Sequence, residues 1–433
     1  MRQTVTIGLL ATTLLTACNT APPRSPTDSL PASSLPAFPG AQGFGALATG
    51  GRGGTIVHVT SLADAGPGSF RDAVSQPARI VIFDVAGIIT LHSNVDFSDN
   101  LTIEGQTAPG QGICLYNRTA SLSGHHNIVI RYLRFREGIN GDEGKCAINM
   151  ATVDHIILDH CSIEWGRWDS MGLTKGSHDV TVQDCIIGAS IDPQRFGALV
   201  DTVTNVTLAR NLWIHNHSRN PKVKGTIQYI NNVVYNWGIT GLAGGHSATD
   251  HYVDVINNYF IKGPDSNDQA AGGFTATDHV YSRGNLVDLD RDGTLHGLPL
   301  TDSAYSQKIG SPTFISHPWA NPPIPVTILN TPAAYEHVIT RAGCSIQRDP
   351  VDQRLIADVL TLGKTGHISH NESEAGGLAE IPAAQPPLDS DHDGIPDAWE
   401  SSHHLNPHDH SDAASLDPSG YSLIELYANS LPK

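Results

Sequence analysis

The sequence predicts an all-β fold: a right-handed parallel β-helix followed by a small C-terminal calcium-binding module. Seven short β-type runs recur through the middle of the chain, and successive runs begin 21 to 28 residues apart. That period is too long for hairpins and matches the coil of a solenoid, whose stacked units share one core. A β-sandwich is the alternative, but its turn signals recur about every 8–12 residues. The runs begin at Asn127, His155, Asp179, Asn205, Thr226, Tyr252 and His279.

Composition agrees with this fold class. Charged residues make up only 16% of the 433 residues and glycine is abundant at 42, which is typical of β-structure rich in turns. The net charge of -17 argues against a general nucleic-acid binder, which needs many phosphate-neutralising cations. A solenoid exposes long sheet faces, so we expect a groove for an extended polymer and a monomeric protein.

The N-terminus carries a targeting signal. Arg2 precedes an uncharged apolar stretch at 5–17, which is too short to remain as a membrane-spanning helix. The stretch ends in "LTAC", which resembles a bacterial lipobox and predicts lipidation of Cys18. Residues 1–18 are then the signal peptide and 19–37 a Pro/Ser-rich tether. This predicts a bacterial cell-envelope protein, an outer-membrane lipoprotein or a secreted protein; an ordinary secretory signal with a chance cysteine is the alternative.

Two sets of residues are expected to stack inside the solenoid. Asn211, Asn232, Asn258 and Asn285 each follow a β run, and stacked asparagines at a turn can hydrogen-bond to the next coil. Cysteines such as Cys161 and Cys185 occupy equivalent places in neighbouring units. No CxxC occurs, so buried core cysteines are favoured over a zinc site.

One segment concentrates positive charge in this acidic chain. "HNHSRNPKVKG", residues 215–225, places His217, Arg219, Lys222 and Lys224 around Pro221. In an acidic protein such a cluster indicates a local anion site. The residue types alone leave two interpretations open, an anion-binding patch and a solvated basic turn.

Seven further motifs occur in order along the chain. They are "FPGAQGFGALATGGRGG", "VTSLADAGPGSFRDAV", "RIVIFDVAGIITL", "LTIEGQTAPGQGI", "VIRYLRFREG", "ILDHCSIEWG" and "SRNPKVKG". Together they resemble the pectate lyase family, polysaccharide lyase family one. The resemblance extends from Phe38 to Trp237, and more weakly to Leu362, within a predicted β-helix domain at 38–380.

The resemblance implies roles for the basic segment. Arg219 takes the place of the Brønsted base, and Lys224 that of a second, substrate-binding cation. Arg195, two residues before Gly197, matches a basic residue of the preceding coil and joins the catalytic set. Lys222 and His217 are expected to bind substrate. Clustered cations would stabilise the charge that develops when a uronate loses its C5 proton.

The resemblance also implies a calcium site in the groove, and here the sequence departs from the family. Lys145 and Cys146 stand where a key carboxylate is expected. Asp142 and Asp169 are the remaining candidate ligands, whereas calcium takes six or more oxygens. Lys145, or alternatively Arg167, would then replace calcium as a fixed cation, as in the related pectin lyases, and Lys145 is a candidate substrate-binding residue.

A second calcium site is expected near the C-terminus. "DSDHDGIPDAWE" spaces its acids at loop positions 1, 3, 5, 9 and 12, with Gly394 at position 6, as in an EF-hand. A linker at 381–388 precedes this module at 389–433. The predicted ligands are Asp389, Asp391, Asp393, the Ile395 carbonyl, Asp397 and Glu400.

These features predict a lyase that cleaves pectate, an acidic plant-type polysaccharide, by β-elimination. The alternatives are a calcium-independent lyase of methylated pectin or another uronate polymer, and a non-catalytic carbohydrate-binding surface lipoprotein held at the outer membrane by its lipid. A β-helix glycoside hydrolase would need paired carboxylates, which are not evident. The presence of both Arg219 and Lys224 argues against the non-catalytic alternative.

Overall fold

The computed structural model describes residues 35–267, 271–305 and 310–431. Residues from Leu35 onward belong to one compact unit. The predicted signal with Cys18 and nearly all of the tether lie outside the described residues and stay predictions. Among the described residues, no helix combines the length and apolar character needed to cross a membrane.

The strands form two sheets that run along the solenoid. The first, here called the long sheet, has 17 strands in the described part of the chain. They are Thr55–Val59, Arg79–Phe83, Val95–Asp96, Leu101–Glu104, Ala120–Ser121, His126–Arg131, Ile148–Ala151, Asp154–Asp159, Asp169–Thr174, His178–Gln183, Phe196–Ala209, Lys222–Ile230, Leu242–Gly244, His251–Ile256, Gly272–Gly273, Asp278–Arg283 and Thr313–Phe314.

The second sheet, here called the short sheet, has 10 described strands. Pairings between described strands are parallel in both sheets, except that the last two strands of the short sheet pair antiparallel. The strands of the short sheet are Gly87–Thr90, Ile113–Tyr116, Arg134–Arg136, Ser162–Glu164, Ile186–Gly188, Leu212–Ile214, Val233–Tyr235, Tyr259–Ile261, Leu286–Asp288 and Leu298–Pro299.

The predicted repeat corresponds to the coils of the long sheet. Each predicted run contains one long-sheet strand, and successive strands align so that one branched aliphatic side chain stacks on the next. This column is buried, and it shows why the 21- to 28-residue period produces a continuous core. Its members are Ile128, Ile156, Val180, Val206, Ile227, Val253 and Val280. The predicted parallel β-helix is confirmed.

The expected asparagine ladder is present at the turns. Asn211 Nδ2 donates to Asn232 Oδ1 at 3.1 Å, and Asn232 donates to Asn258 in the same way at 3.1 Å. Asn258 donates to Asn285 at 2.9 Å. The Cys161 N–H lies 3.3 Å from the Cys185 sulfur, so the cysteines continue the ladder as unpaired thiols. These bonds satisfy buried polar groups between coils.

Short helices cover parts of the solenoid. Thr331–Arg341 and Pro350–Leu360 each begin with a side-chain cap, from Asn330 and Asp349, and pack their apolar faces on the short sheet. The other described α-helices are Phe70–Ala73, Asp397–Ser402 and Leu423–Ser430, and the 3-10 helices are Phe44–Leu47, Gly105–Thr107 and Asp302–Ala304.

The C-terminal segment packs on the first coils of the solenoid and belongs to the same compact unit. Ile395 and Ile424 share one buried cluster with Ile80 and Ile82 of the long sheet. Arg52 Nε lies 2.8 Å from a carboxylate oxygen of Glu425. The predicted calcium loop is therefore held against the solenoid by both apolar and ionic contacts.

Candidate active site

Two lysines project from one strand of the long sheet. Lys222 and Lys224 open the strand Lys222–Ile230, and Val223 between them is buried in the core. Because successive side chains on a strand point to opposite faces, both lysines lie on the outer face. Lys224 Nζ contacts Asp201 of the preceding strand at 3.0 Å.

Arg219 precedes these lysines in a turn with a positive φ of 61°. Its carbonyl accepts a hydrogen bond from the Ala198 N–H at 2.8 Å. The next residue, Asn220, receives a bond from Asn216 Nδ2 at 2.8 Å and donates to the Thr240 carbonyl at 3.2 Å. The turn is tied to the coils on both sides, so its backbone holds the arginine in a fixed place.

The Arg219 side chain is also held. Its Nη1 lies 3.0 and 3.1 Å from the two carboxylate oxygens of Asp169, and its Cζ lies 4.0 Å from the centre of the Phe196 ring. Burial raises the pKa of Asp169 to about 6, and the Arg219 charge partly offsets that rise. Asp169 is thus the ion-pair partner of the predicted base.

The two predicted groove calcium ligands have different surroundings. Four groups of three metal-ligating side chains occur among the described residues, around Asp159, around Asp288 and twice in the C-terminal loop, and none includes Asp142 or Asp169. Asp142 is exposed, whereas the Asp169 carboxylate lies against Arg219. The expectation that Asp142 and Asp169 hold calcium stays a prediction.

A thiol occupies the position where the family resemblance led us to expect a carboxylate. Burial raises the pKa of Cys146, nearby Asp169 raises it further, and an Asp169 backbone hydrogen bond to the thiol opposes this rise. On the facing strand, a Cβ placed on Gly172 would come 3.2 Å from the Cys146 sulfur and 2.9 Å from Asn149 Oδ1. A larger side chain therefore has no room at Gly172.

The two predicted substitutes for calcium have contacts of their own. Lys145 is exposed, and its carbonyl accepts from the Trp168 N–H at 2.9 Å. Arg167 donates to the carbonyls of Gly141 at 2.8 Å and Asp192 at 3.2 Å, so it fastens two loops together. Neither lines the cavity beside Arg219.

That cavity has a volume of about 370 Å³ and brings several predicted residues together. His217, Arg219 and Lys222 line it with His246, which the sequence analysis did not identify. Lys222 Nζ lies 3.1 Å from His246 Nδ1. His246 follows Lys222 by 24 residues, one coil of the repeat, so the period alone could have pointed to it.

Positive charge dominates this cavity. Burial and the neighbouring charges of Lys224 and Arg219 lower the pKa of Lys222. Burial, Lys222 and Lys224 lower the pKa of His246. Such shifts report cationic groups close to one another, an arrangement that favours binding of an anion.

Arg195 lies beside the cavity rather than in its lining. Its carbonyl accepts from the His217 N–H at 2.8 Å, and its Nε lies 3.2 Å from Asp192 Oδ1. Burial and the Arg195 charge lower the pKa of His217. The predicted basic residue of the preceding coil is therefore near the site and paired with an acid.

The C-terminal loop contains a different arrangement of acids. Asp393 belongs to two clusters in which one carboxylate oxygen of each residue lies within 4.8 Å of the others. The first cluster also contains Asp389 and Asp391, and the second also contains Glu400 and Asp412. Within this loop, buried carboxylate oxygens without a hydrogen-bond partner among the described residues belong to Asp391, Asp393, Glu400 and Asp412. Asp412, outside the twelve-residue pattern, was not predicted as a ligand.

Three of the predicted loop ligands have other contacts. Asp397 accepts hydrogen bonds from the Ser390 N–H and hydroxyl, each at 2.7 Å. The Ile395 side chain is buried against the solenoid, and its N–H donates to Asp393 Oδ1 at 2.8 Å. Asp389 accepts from the N–H groups of His392 and Gly394, which shapes the loop.

Known proteins resemble the chain over nearly its full length. A probable pectate lyase C of Aspergillus flavus is 41% identical over 401 residues, 92% of this chain and 94% of the relative. That of Aspergillus terreus is 42% identical over the same shares. No protein-family model matches the chain.

Solved structures share the fold. The cedar pollen allergen jun a 1 superposes with a TM-score of 0.55 at 18% identity, over 70% of this chain and 92% of the allergen. The thermostable pectate lyase PL 47 gives a TM-score of 0.53 at 15% identity, over 73% of this chain and 99% of that enzyme. With the β-helix and the extent of identity to the Aspergillus proteins, the chain belongs to the pectate lyase family and is a polysaccharide lyase.

Proposed function

We propose that this protein cleaves pectate-type polygalacturonate by β-elimination, with Arg219 as the base. The observation that carries the proposal is the cavity in which Arg219, Lys222 and His217 meet within an acidic protein of net charge -17. A polyanionic sugar chain is attracted to such a local cationic groove although the rest of the surface repels it.

The reaction begins at C5 of a uronate, next to its carboxyl group. Arg219 takes the C5 proton, the electron pair forms a C4–C5 double bond, and the C4–O bond to the leaving sugar breaks. The leaving oxygen then takes a proton from water. Cations near the carboxylate stabilise the charge that develops when C5 loses its proton. A guanidinium is normally charged, so this step needs a transiently neutral Arg219.

Other basic residues have supporting roles in this proposal. Lys222 and His217 line the cavity and bind the reacting uronate. Lys224 and Arg195 are paired with Asp201 and Asp192, and would exchange these partners for sugar carboxylates as the chain binds. Lys145, which is exposed and outside the cavity lining, would contact a more distant sugar.

The names of the Aspergillus relatives support pectate as the substrate. One structural feature favours methylated pectin as a second candidate. The cavity wall includes Phe196, Ile239 and Phe274, which suit an uncharged methyl ester better than a carboxylate.

We also propose that the C-terminal loop binds calcium. Asp391, Asp393, Glu400 and Asp412 would hold the ion, because their unpartnered buried oxygens match a hard cation that takes six to eight oxygen ligands. Burial and neighbouring acids raise the pKa of both Asp393 and Glu400 to about 7, the mark of carboxylates crowded without a counter-charge. Bound calcium supplies that charge and would fix the loop on the first coils.

We also propose that the protein is exported and carries a lipid on Cys18. The apolar segment at 5–17 and the LTAC sequence support cleavage before Cys18 and attachment of lipid there. Labelling with a fatty-acid analogue in a bacterial host would test it. We expect the label to be incorporated into the wild type and not into Cys18→Ser. Secreted wild-type protein without label would contradict lipidation and favour an ordinary secretory signal.

The activity is tested by ultraviolet absorbance of unsaturated uronates. Soluble protein lacking residues 1–20 is mixed with polygalacturonate or with methylated pectin. Arg219→Ala should lower kcat/KM by about 1000-fold or more. Arg283→Ala, which changes an exposed arginine two coils further along, is the matched control and should keep full activity. No absorbance change on either polymer, or full activity of Arg219→Ala, would contradict the proposal.

A further inference from the structure

We propose that cleavage at Arg219 needs no calcium in the groove. In this proposal Asp169 positions Arg219, and Lys222 with His246 receives the carboxylate of the uronate that loses its proton. The inference rests on the proposed lyase activity, and it assigns to His246 a role that the sequence did not suggest.

The donors around Arg219 do not fit calcium. Calcium takes six to eight oxygens, and a sulfur is a poor ligand for a hard cation. Cys146 contributes a half-buried thiol, and its facing residue is Gly172, where an added side chain would meet Cys146 and Asn149 at once. Both oxygens of Asp169 already face Arg219 at 3.0 and 3.1 Å. The C-terminal loop shows the contrast, since its acids have unpartnered oxygens.

Asp169 and Phe196 instead hold the base from two sides. The carboxylate meets the edge of the guanidinium, and the Phe196 ring lies against its face with Cζ 4.0 Å from the ring centre. A charge-assisted hydrogen bond and a cation–π contact both prefer one orientation of the guanidinium. Asp169 and Phe196 sit side by side in register on neighbouring strands, so the two contacts are fixed by the sheet.

Lys222 supplies the positive charge that a metal would otherwise bring, and His246 holds its ammonium group in place. An ammonium has donors only, so His246 Nδ1 must accept the bond from Lys222 Nζ at 3.1 Å. The ring proton of the neutral imidazole is then on Nε2, and the ammonium keeps two further N–H groups. Lys224 is neutralised by Asp201, whereas the described partner of Lys222 is uncharged. Lys222 therefore keeps its charge for the substrate in the cavity it shares with Arg219.

The first test is cleavage of a short oligogalacturonate with calcium or with chelator. Circular dichroism in each condition establishes that the protein stays folded. We expect kcat/KM in chelator to stay within about twofold of the value in calcium. Loss of activity in chelator, with an unchanged spectrum and recovery on adding calcium, would overturn the inference while leaving the lyase activity intact.

The second test separates Lys222 and His246 from structural residues. Lys222→Met should lower kcat/KM by about 100-fold, mostly in kcat, as expected for a group that stabilises developing charge. Lys175→Met, which changes an exposed lysine of an earlier coil, should stay near wild type. His246→Gln, whose amide both accepts and donates, should retain more activity than His246→Ala. Full activity of Lys222→Met, or equal loss in both His246 variants, would overturn the assignment.

A gain of function provides the third test. Cys146→Asp places a second carboxylate beside Asp169 and should create a calcium-dependent component of activity that the parent lacks. If the parent already responds to calcium as strongly as Cys146→Asp, the inference is wrong. If no variant or parent forms unsaturated product, the proposed lyase function itself fails, and this inference fails with it.

Discussion

The groove around Arg219 and the C-terminal acidic loop use carboxylates in opposite ways. In the groove, Asp169, Asp192 and Asp201 each lie against an arginine or a lysine. In the C-terminal loop, Asp391, Asp393, Glu400 and Asp412 crowd together with buried oxygens unpartnered. The first arrangement keeps cations in place for an anionic polymer. The second accumulates negative charge that only a cation relieves.

The comparison also separates two sources of positive charge, basic side chains and calcium, which the family resemblance placed together in the groove. Calcium is expected where carboxylates repel one another, and that is the C-terminal loop, not the groove. If the whole protein requires a metal, we therefore expect the metal to stabilise the first coils of the solenoid rather than to take part in bond cleavage. The predictions that follow test each side of this division.

The largest effect is expected from Asp169→Asn. The amide keeps a hydrogen bond to Arg219 but loses the ion pair, so kcat/KM should fall by about 10- to 100-fold. The pKa of Asp169 in the folded protein is raised to about 6, so wild-type activity should decline below pH 6 as the carboxyl gains a proton. The pH profile of Asp169→Asn should lack that decline. An Asp169→Asn profile identical to that of the wild type would contradict the positioning role.

A smaller but distinct effect is expected on thermal stability. Calcium at about a hundredfold above its Kd should stabilise the wild type by about 2.7 kcal/mol, because it binds only the folded loop. Glu400→Gln should lose most of this gain in a calorimetric melt. Asp142→Asn, a change of an exposed acid near the groove, is the control and should keep it. Equal loss in both variants would place the calcium outside the C-terminal loop.

The smallest effect concerns stability against pH in chelator. The pKa values of Asp393 and Glu400 are raised to about 7 in the folded protein, above their ordinary values of 3.8 and 4.5. The folded state therefore binds more protons between about pH 4 and 7, and stability falls as pH rises through that range.

Urea denaturation at several pH values measures this trend. Asp393→Asn should flatten it, since the amide does not titrate. Calcium should oppose the fall in the wild type, because metal binding requires the deprotonated carboxylates. A wild type whose stability rises from pH 4 to 7 in chelator, with Asp393→Asn rising equally, would show that these acids are not crowded as described.

The sequence was most informative where its repeat fixed the geometry. The 21- to 28-residue spacing predicted the coils, and the asparagines after each run predicted the ladder that Asn211 to Asn285 form. Parallel stacking brings equivalent residues into register, so a linear pattern becomes a column in space. His246 was missed although the same period connects it to Lys222.

The sequence was least informative about how the acids are used. Asp169 was a candidate metal ligand because the family resemblance places an acidic residue just after the strand that ends in Asp159, but its partner Arg219 lies 50 residues later. Asp412 follows Glu400 by twelve residues and joins the C-terminal cluster only through the fold of the loop. The distance in space between two charged groups decides whether they pair. The spacing of a motif describes only one segment of the chain, so it does not show which distant residue lies nearby.

The sequence by itself determined the parallel β-helix, the basic segment at 215–225 and the acidic C-terminal loop, because each is set by local periodicity or spacing. Only the tertiary structure decided which carboxylates are neutralised and which are left crowded. Asp169 and Asp393 are both buried aspartates. What distinguishes them is an arginine from a distant coil beside Asp169 and four further acids beside Asp393. The energy of a buried charge depends on its nearest opposite charge, which chain order does not specify.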